Sequence, residues 1–217
     1  MMNFRFNSEI DIPLGTVVLE GELIIPLNAE GIVIFSHGSG SSRHSPRNRM
    51  VAAYLHEQNF GTLLFDLLTL EEDRRYQNRF DIRLLTQRLY NVTKWLEKHP
   101  AAAGCSIGYF GASTGAASAL QAAARLPEIA AVVSRGGRPD LAADELYKVT
   151  APTLLIVGGE DAVVLELNRQ AYEQLTCVKR LDIVEGATHL FEEEGKMEIV
   201  EKLAAKWFLK YLQPVNA

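Results

Sequence analysis

A serine flanked by two glycines lies where an apolar run meets an alanine-rich segment. Residues 106–120 read SIGYFGASTGAASAL, in which Ser113 stands between Gly111 and Gly115. A nucleophile on a sharp strand-to-helix turn has crowded neighbours two residues before and after it, so both positions must lack bulky side chains. The following helix would point its first N–H groups, that of Thr114 foremost, at developing negative charge. The pattern predicts a nucleophilic Ser113; the alternative is a tight connection that needs small residues only for packing.

A serine hydroxyl needs a base to take its proton, and the chain contains five histidines. Four of them stand in helices or loops where packing, capping or loop shaping is the expected role: His37, His44, His56 and His99. His189 follows the last apolar run, in RLDIVEGATHLF, and precedes the final helical segment. We therefore predict that His189 is the base; its alternative role is to cap that helix or to pack beside Phe191.

The carboxylate that holds the imidazole tautomer should lie between the serine and the histidine in chain order. The segment TLLIVGGEDAVV places Asp161 directly after an apolar run and a Gly-Gly turn. Glu160 and Asp140 are competitors, and Asp140 also suits a helix N-cap because LAADELYKV follows it. The spacing predicts Asp161 as the orienting carboxylate, with Asp140 as the runner-up.

Six short apolar runs supply strands that would position these side chains: GIVIFSH, GTLLFD, SIGYFG, AAVVSRG, TLLIVGG and RLDIVEG. Continuous runs rich in Val, Ile and Leu are typical of parallel strands that are buried on both faces. The segments between them have helical periodicity, as in Ile82, Leu85, Leu89, Val92 and Leu96. The N-terminal segment alternates instead, and residues 20–22 interrupt it as a hairpin or bulge would. The pattern predicts an α/β fold: a three-layer, doubly wound, mostly parallel sheet of about eight strands with an N-terminal antiparallel hairpin.

Composition favours one domain spanning residues 1–217 and excludes several functional classes. The 22 basic and 27 acidic residues give a net charge of −5, so we expect little attraction for nucleic acid or anionic membranes. Cys105 and Cys177 lack the spacing of a metal site or redox pair. The first ten residues lack an apolar leader, and no run reaches the length of a membrane span, so the predicted location is cytoplasmic.

Arginines are concentrated near the strand ends that carry these residues. Arg43 and Arg47 lie in SHGSGSSRHSPRNR, Arg135 lies near the end of the run AAVVSRG, and Arg138 follows that run. Because Arg can hold a carboxylate or phosphate bidentately, we predict that Arg43, Arg47 and Arg138 bind an anionic group of a substrate. The alternative is that they are solvated or paired with acidic residues 71–73. Neither of the two glycine-rich nucleotide-binding motifs occurs at residues 36–49, so a nucleotide-binding domain is not favoured.

Four motifs occur in the chain in this order: SHGSG at 36–40, GASTG at 111–115, GGED at 158–161 and GATH at 186–189. In this order they resemble the motifs of the α/β-hydrolase fold, and in particular those of its dienelactone hydrolase-like branch. Dienelactone hydrolases use a cysteine nucleophile, whereas this chain has Ser113. The resemblance implies that Ser113 attacks a carbonyl carbon, His189 takes its proton and Asp161 orients His189. It also implies that the backbone N–H groups of Ser39 and Thr114 hold the oxyanion.

The predicted function is therefore that of a serine hydrolase without a large lid, acting through an acyl-enzyme on small esters, thioesters or lactones. The resemblance implies no metal and no organic cofactor. The expected partner is a small acyl substrate, and the arginines raise the hypothesis that it is anionic. The only sizeable cover is the segment DLLTLEEDRRYQNRF, residues 66–80. Acyl transfer by the same three residues is one alternative, and non-catalytic binding of a small ligand is another.

Overall fold

Eight strands form one sheet in the computed structural model, which describes residues 3–214. In chain order they are β1 (Phe4–Leu14), β2 (Val17–Pro26), β3 (Gly31–Ser36), β4 (Gly61–Phe65), β5 (Ser106–Ala112), β6 (Ala131–Arg135), β7 (Thr153–Gly158) and β8 (Lys179–Val184). The order across the sheet is β1-β2-β4-β3-β5-β6-β7-β8. The β1/β2 and β2/β4 pairs are antiparallel and all others are parallel. The predicted mostly parallel sheet with an N-terminal antiparallel hairpin is confirmed.

The hairpin turns at residues 15–16, so the predicted interruption at residues 20–22 was wrong. Gly15 has a φ of 74°, which suits a tight turn between β1 and β2. Strand β2 runs through Gly21 without a break because Gly21 pairs with Phe65 of β4. A Cβ on Gly21 would lie 3.2 Å from the Leu64 carbonyl oxygen, so this glycine permits close strand approach.

Helices cover both faces of the sheet and give the three layers of a doubly wound fold. One face packs against α1 (Pro46–Glu57) and α6 (Lys196–Tyr211), and the other packs against α3 (Ile82–Leu96), α4 (Thr114–Arg125) and α5 (Ala162–Gln174). A short helix, α2 (Leu70–Asp73), and a 3₁₀ turn at Tyr76–Phe80 form the cover segment. The periodic apolar residues of α3 are all buried, as predicted.

Strand alternation determines which side chains of β6 reach which layer. Ala131 and Val133 contribute to the core under α1 and α6, whereas Val132 contributes to the opposite core. Arg135 continues the series that faces α1 and α6. Within residues 3–214, no helix combines the length and the apolar character that crossing a membrane requires.

Candidate active site

Ser113 occupies a strained turn between β5 and α4. Its backbone has φ 51° and ψ −122°, a region that residues other than glycine rarely adopt. A Cβ on Gly111 would lie 2.5 Å from Cα of Ala116, and a Cβ on Gly115 would overlap the Ser36 carbonyl oxygen. Both flanking glycines are therefore required by the turn itself, which is the reason that the sequence pattern suggested.

His189 and Asp161 are brought together from two loops at the carboxyl edge of the sheet. Asp161 follows β7, His189 follows β8, and Nδ1 of His189 lies 2.6 Å from Oδ2 of Asp161. A carboxylate can only accept, so Nδ1 carries the proton and Nε2 is left as the acceptor. The runner-up carboxylate, Asp140, instead accepts two bonds of 2.8 Å from Arg138.

Ser113 and His189 line a common cleft of about 220 Å³. Gly38 and Ser39 line it from the loop after β3, and a Cβ on Gly38 would lie 3.1 Å from Cβ of Ser113. This volume is below that of most ligand pockets, which usually span about 300–1,000 Å³. The cleft therefore suits a small substrate.

The two N–H groups expected to form an oxyanion hole differ in their hydrogen bonding. The Ser39 N–H donates to Oγ1 of Thr114 over 2.9 Å, and Thr114 is 4% exposed. The Thr114 N–H has no acceptor among residues 3–214. Only one of the two predicted donors is thus free, because a side-chain acceptor that the backbone motif does not reveal occupies the other.

His37 ties the loop after β3 to the end of β4. Its Nδ1 lies 2.9 Å from the Gly38 carbonyl oxygen, and its Nε2 accepts from the Leu67 N–H over 3.1 Å. Burial lowers the pKa of His37, which favours the neutral ring that these two bonds require. His37 therefore shapes the loop, the role expected for it from the sequence.

The dienelactone hydrolase family has a sequence model that matches residues 19–215 of this chain. The chain belongs to the dienelactone hydrolase family. A dienelactone hydrolase from Anabaena variabilis of known crystal structure is 52% identical, with a TM-score of 0.93 over 96% of this chain and 99% of that one. Est1E from Butyrivibrio proteoclasticus is 18% identical, and its TM-score of 0.80 over 94% of this chain and 98% of that one shows the same fold. The resemblance inferred from the four motifs is confirmed, and it supports hydrolase chemistry for this domain.

Curated relatives of this family member carry a different name. Two proteins of Mycobacterium tuberculosis, from strains CDC 1551 and H37Rv, are each 56% identical over 207 residues and are provisionally named phosphoribosyl transferases. The match covers 95% of this chain and 47% of each relative. The chain thus spans about half the length of the curated relatives it matches.

Of the three arginines predicted to bind substrate, only Arg47 lines the Ser113 cleft of this dienelactone hydrolase family member. Arg43 forms ion pairs with Glu20 and Asp66, and Arg138 pairs with Asp140. These carboxylates neutralise Arg43 and Arg138 and direct them elsewhere, so the geometry does not support a substrate role for either. Arg47 itself contacts Glu192 over 2.7 Å.

Arg135, which the sequence prediction did not include among the site residues, is the buried cation of the cleft. It is 4% exposed, it lines the cleft with Ser113 and His189, and its buried Nε has no hydrogen-bond partner among the residues that the structure describes. A signal was present in AAVVSRG, where a charged residue ends an otherwise apolar buried strand. Among residues 3–214, no group of three or more His, Cys, Asp or Glu side chains could hold a metal ion.

Proposed function

We propose that this chain is a serine hydrolase that cleaves small carboxylic esters, thioesters or lactones through an acyl-enzyme on Ser113. The observation that carries the proposal is the strained Ser113 sharing one cleft with His189, whose Nδ1 is bound to Asp161. Strained backbone outliers cluster at active sites because surrounding structure must hold them in place. Family membership supports the same reaction class.

The chemistry begins when Nε2 of His189 accepts the Ser113 hydroxyl proton as Oγ attacks the carbonyl carbon. Asp161 keeps the imidazole in the required tautomer and stabilises the imidazolium that forms. As the C–O or C–S bond of the tetrahedral intermediate breaks, His189 gives the proton to the leaving alkoxide or thiolate, which becomes the alcohol or thiol, and the acyl group stays on Ser113. A water molecule, deprotonated by the same nitrogen, attacks the acyl-enzyme and releases the acid.

Oxyanion stabilisation involves the Thr114 hydroxyl as well as its N–H. Oγ1 of Thr114 already accepts from the Ser39 N–H, so its own proton is free to donate. The Ser39 N–H polarises that hydroxyl, and the Thr114 N–H lies at the first turn of α4, where the helix dipole favours negative charge. We infer that the Thr114 N–H and O–H are the two donors to the oxyanion, with Ser39 acting through Thr114.

The name phosphoribosyl transferase belongs to relatives that are about twice as long as this chain, which matches 47% of their length. The Ser113 cleft contains a nucleophile and a base, and Thr114, the proposed oxyanion donor, follows the nucleophile directly in the chain; these are the parts of acyl cleavage. No residue of the cover segment 66–80 is among those that line the Ser113 cleft in the described structure, so we infer that water can enter the cleft. Hydrolysis is thus favoured over transfer of the acyl group to an alcohol or amine.

Covalent labelling tests this function. A fluorophosphonate probe should add one adduct to the native protein, and peptide mapping should place it on Ser113. The Ser113→Ala variant should stay unlabelled, while Ser8→Ala, altered at an exposed position on the edge strand β1, should react like the wild type. An unlabelled wild-type protein would favour non-catalytic ligand binding, and labelling of Ser113→Ala would assign the nucleophile to another residue.

A further inference from the structure

The backbone of Arg135 is next to that of the proposed nucleophile, because strands β5 and β6 are neighbours in the sheet. It ends β6 and pairs in register with Ala112, the residue before Ser113. The Ser113 N–H donates to the Arg135 carbonyl oxygen over 3.3 Å. Strand alternation directs the Arg135 side chain toward the α1 and α6 layer, which forms one wall of the Ser113 cleft.

The Arg135 guanidinium is a buried charge without a counterion in the described structure. Arg43, Arg88, Arg125 and Arg138 each contact a carboxylate, whereas Arg135 has neither an ion pair nor a hydrogen bond. Burial, followed by the like charge of Arg47, lowers the pKa of Arg135 to about 10, so it stays protonated near neutral pH. Buried charges in proteins are normally paired, so this one points to a partner that is not part of the chain.

The Arg135 guanidinium packs against an aromatic ring, which carries no charge that could neutralise it. The guanidinium carbon lies 5.9 Å from the ring centroid of Phe191, which is buried and has a φ of 57°. Positive φ is a strained conformation for a bulky residue, and here it accompanies a ring packed against the cation. The site thus keeps a strained aromatic residue next to an unpaired arginine.

The first turn of α1 also lines the same cleft. Ser45, Arg47 and Asn48 line the cleft, and α1 begins at Pro46 with Ser45 as its N-cap. The N-terminus of this twelve-residue helix carries partial positive charge, but Pro46 has no N–H and the N–H groups of Asn48 and Arg49 already donate to Ser45.

We propose that Arg135 binds an oxyanionic group on the acyl part of the substrate, since Arg47, the other arginine that lines the cleft, is paired with Glu192. The group is a carboxylate or a phosphate, since both match the guanidinium fork and both replace the missing counterion. This inference rests on the proposed function, and it names the substrate class for the same cleft. The small volume places the anion on a short acyl chain, close to the carbonyl carbon that Ser113 attacks.

Three p-nitrophenyl esters of equal acyl length test the selectivity. They are the glutarate monoester, the 4-phosphonobutanoate ester and the neutral 5-methylhexanoate ester, in which an isopropyl group replaces the carboxylate. We expect the wild type to prefer at least one anionic ester over the neutral one in kcat/KM. Arg135→Met should lower that preference at least about tenfold while neutral ester hydrolysis continues. Arg125→Met, which alters an arginine paired with Glu145, should keep the wild-type preference.

Binding and stability provide readouts that do not depend on turnover. Calorimetry with Ser113→Ala should detect glutarate or inorganic phosphate, and the anion that binds identifies the source of the charge. Adding Arg135→Met to this variant should abolish that binding. Arg135→Met should also unfold at a higher denaturant concentration than the wild type, because an unpaired buried charge is replaced by an apolar side chain.

The outcomes separate this inference from the proposed function. Equal ester preference in the wild type and Arg135→Met, together with no anion binding to Ser113→Ala, would overturn the anion subsite while neutral ester hydrolysis still supports the serine hydrolase. Failure to hydrolyse any ester and to react with the fluorophosphonate would overturn the hydrolase. Anion binding to Ser113→Ala that is lost with Arg135→Met would support the subsite even then.

Discussion

Replacing Ser113 by Gly and by Ala tests whether the turn stores strain. Both variants lose the hydroxyl, but only Gly can adopt φ 51° and ψ −122° without a steric penalty. Strain in sparsely populated backbone regions costs about 1–3 kcal/mol per residue. Gly also increases the entropy of the unfolded chain, and this offsets about 0.4–1 kcal/mol of the stability that is gained by relieving the strain. The net expectation is that Ser113→Gly exceeds Ser113→Ala in stability by about 1 kcal/mol.

Urea and thermal unfolding of the two variants measure this difference. For a chain of this size, about 1 kcal/mol corresponds to a Tm difference of about 2–4 °C. Ser118, in the interior of α4, is a matched control because both its variants lose the same bonds, to Oγ of Ser36 and the carbonyl oxygen of Gly115. There the order should reverse, with Ser118→Gly less stable than Ser118→Ala by about 0.5–1 kcal/mol.

The strain explanation would be refuted if Ser113→Gly were no more stable than Ser113→Ala. The same conclusion would follow if the Gly variants exceeded the Ala variants equally at residues 113 and 118, since that would indicate a general effect of glycine. The activity of both residue-113 variants should be lost regardless of their stability. Stability and activity thus report separately on the backbone and the hydroxyl.

Three further expectations concern the orienting carboxylate, the oxyanion donors and pH. Asp161→Asn should lower kcat about 10³–10⁴-fold, whereas Asp140→Asn should retain activity, as measured by steady-state ester hydrolysis. Thr114→Val should lower kcat about 10²-fold and Thr114→Ser should restore it; equal losses in both would exclude the hydroxyl as a donor. Burial lowers the pKa of His56 to about 4, so the unfolded chain binds a proton between about pH 6.5 and 4 that the folded protein does not, and stability should fall as pH drops through that range. His56→Gln should reduce this fall by about 2 kcal/mol in urea titrations; an unchanged pH profile would contradict the assignment.

Local patterns predicted the parts of the fold that local physics determines. The short continuous apolar runs become β3 to β7, because strands buried on both faces need continuous apolar side chains. The glycines at 111 and 115 could be interpreted because crowding at such a turn is a local property. Residues 20–22 were misread, since the close approach of β4 to Gly21 comes from a strand about 40 residues away.

The site was harder to predict where it depends on pairing between distant side chains. The neutralisation of Arg43 by Glu20 and Asp66 joins residues of three separate segments, and no spacing rule reveals it. The same holds for the Ser39 N–H, whose acceptor is the side chain of Thr114. Arg135 was noted among the arginines near the strand ends but not selected as a site residue, because its lack of an ion pair is visible only in the folded structure.

The measurement that tests the central claim most directly is kcat/KM for p-nitrophenyl ester hydrolysis by the wild type and Ser113→Ala. If Ser113 forms the acyl-enzyme, the wild type should hydrolyse short acyl esters and Ser113→Ala should lose at least about 10³-fold in kcat/KM, with its fold unchanged by circular dichroism. Hydrolysis by Ser113→Ala at the wild-type rate would contradict the account.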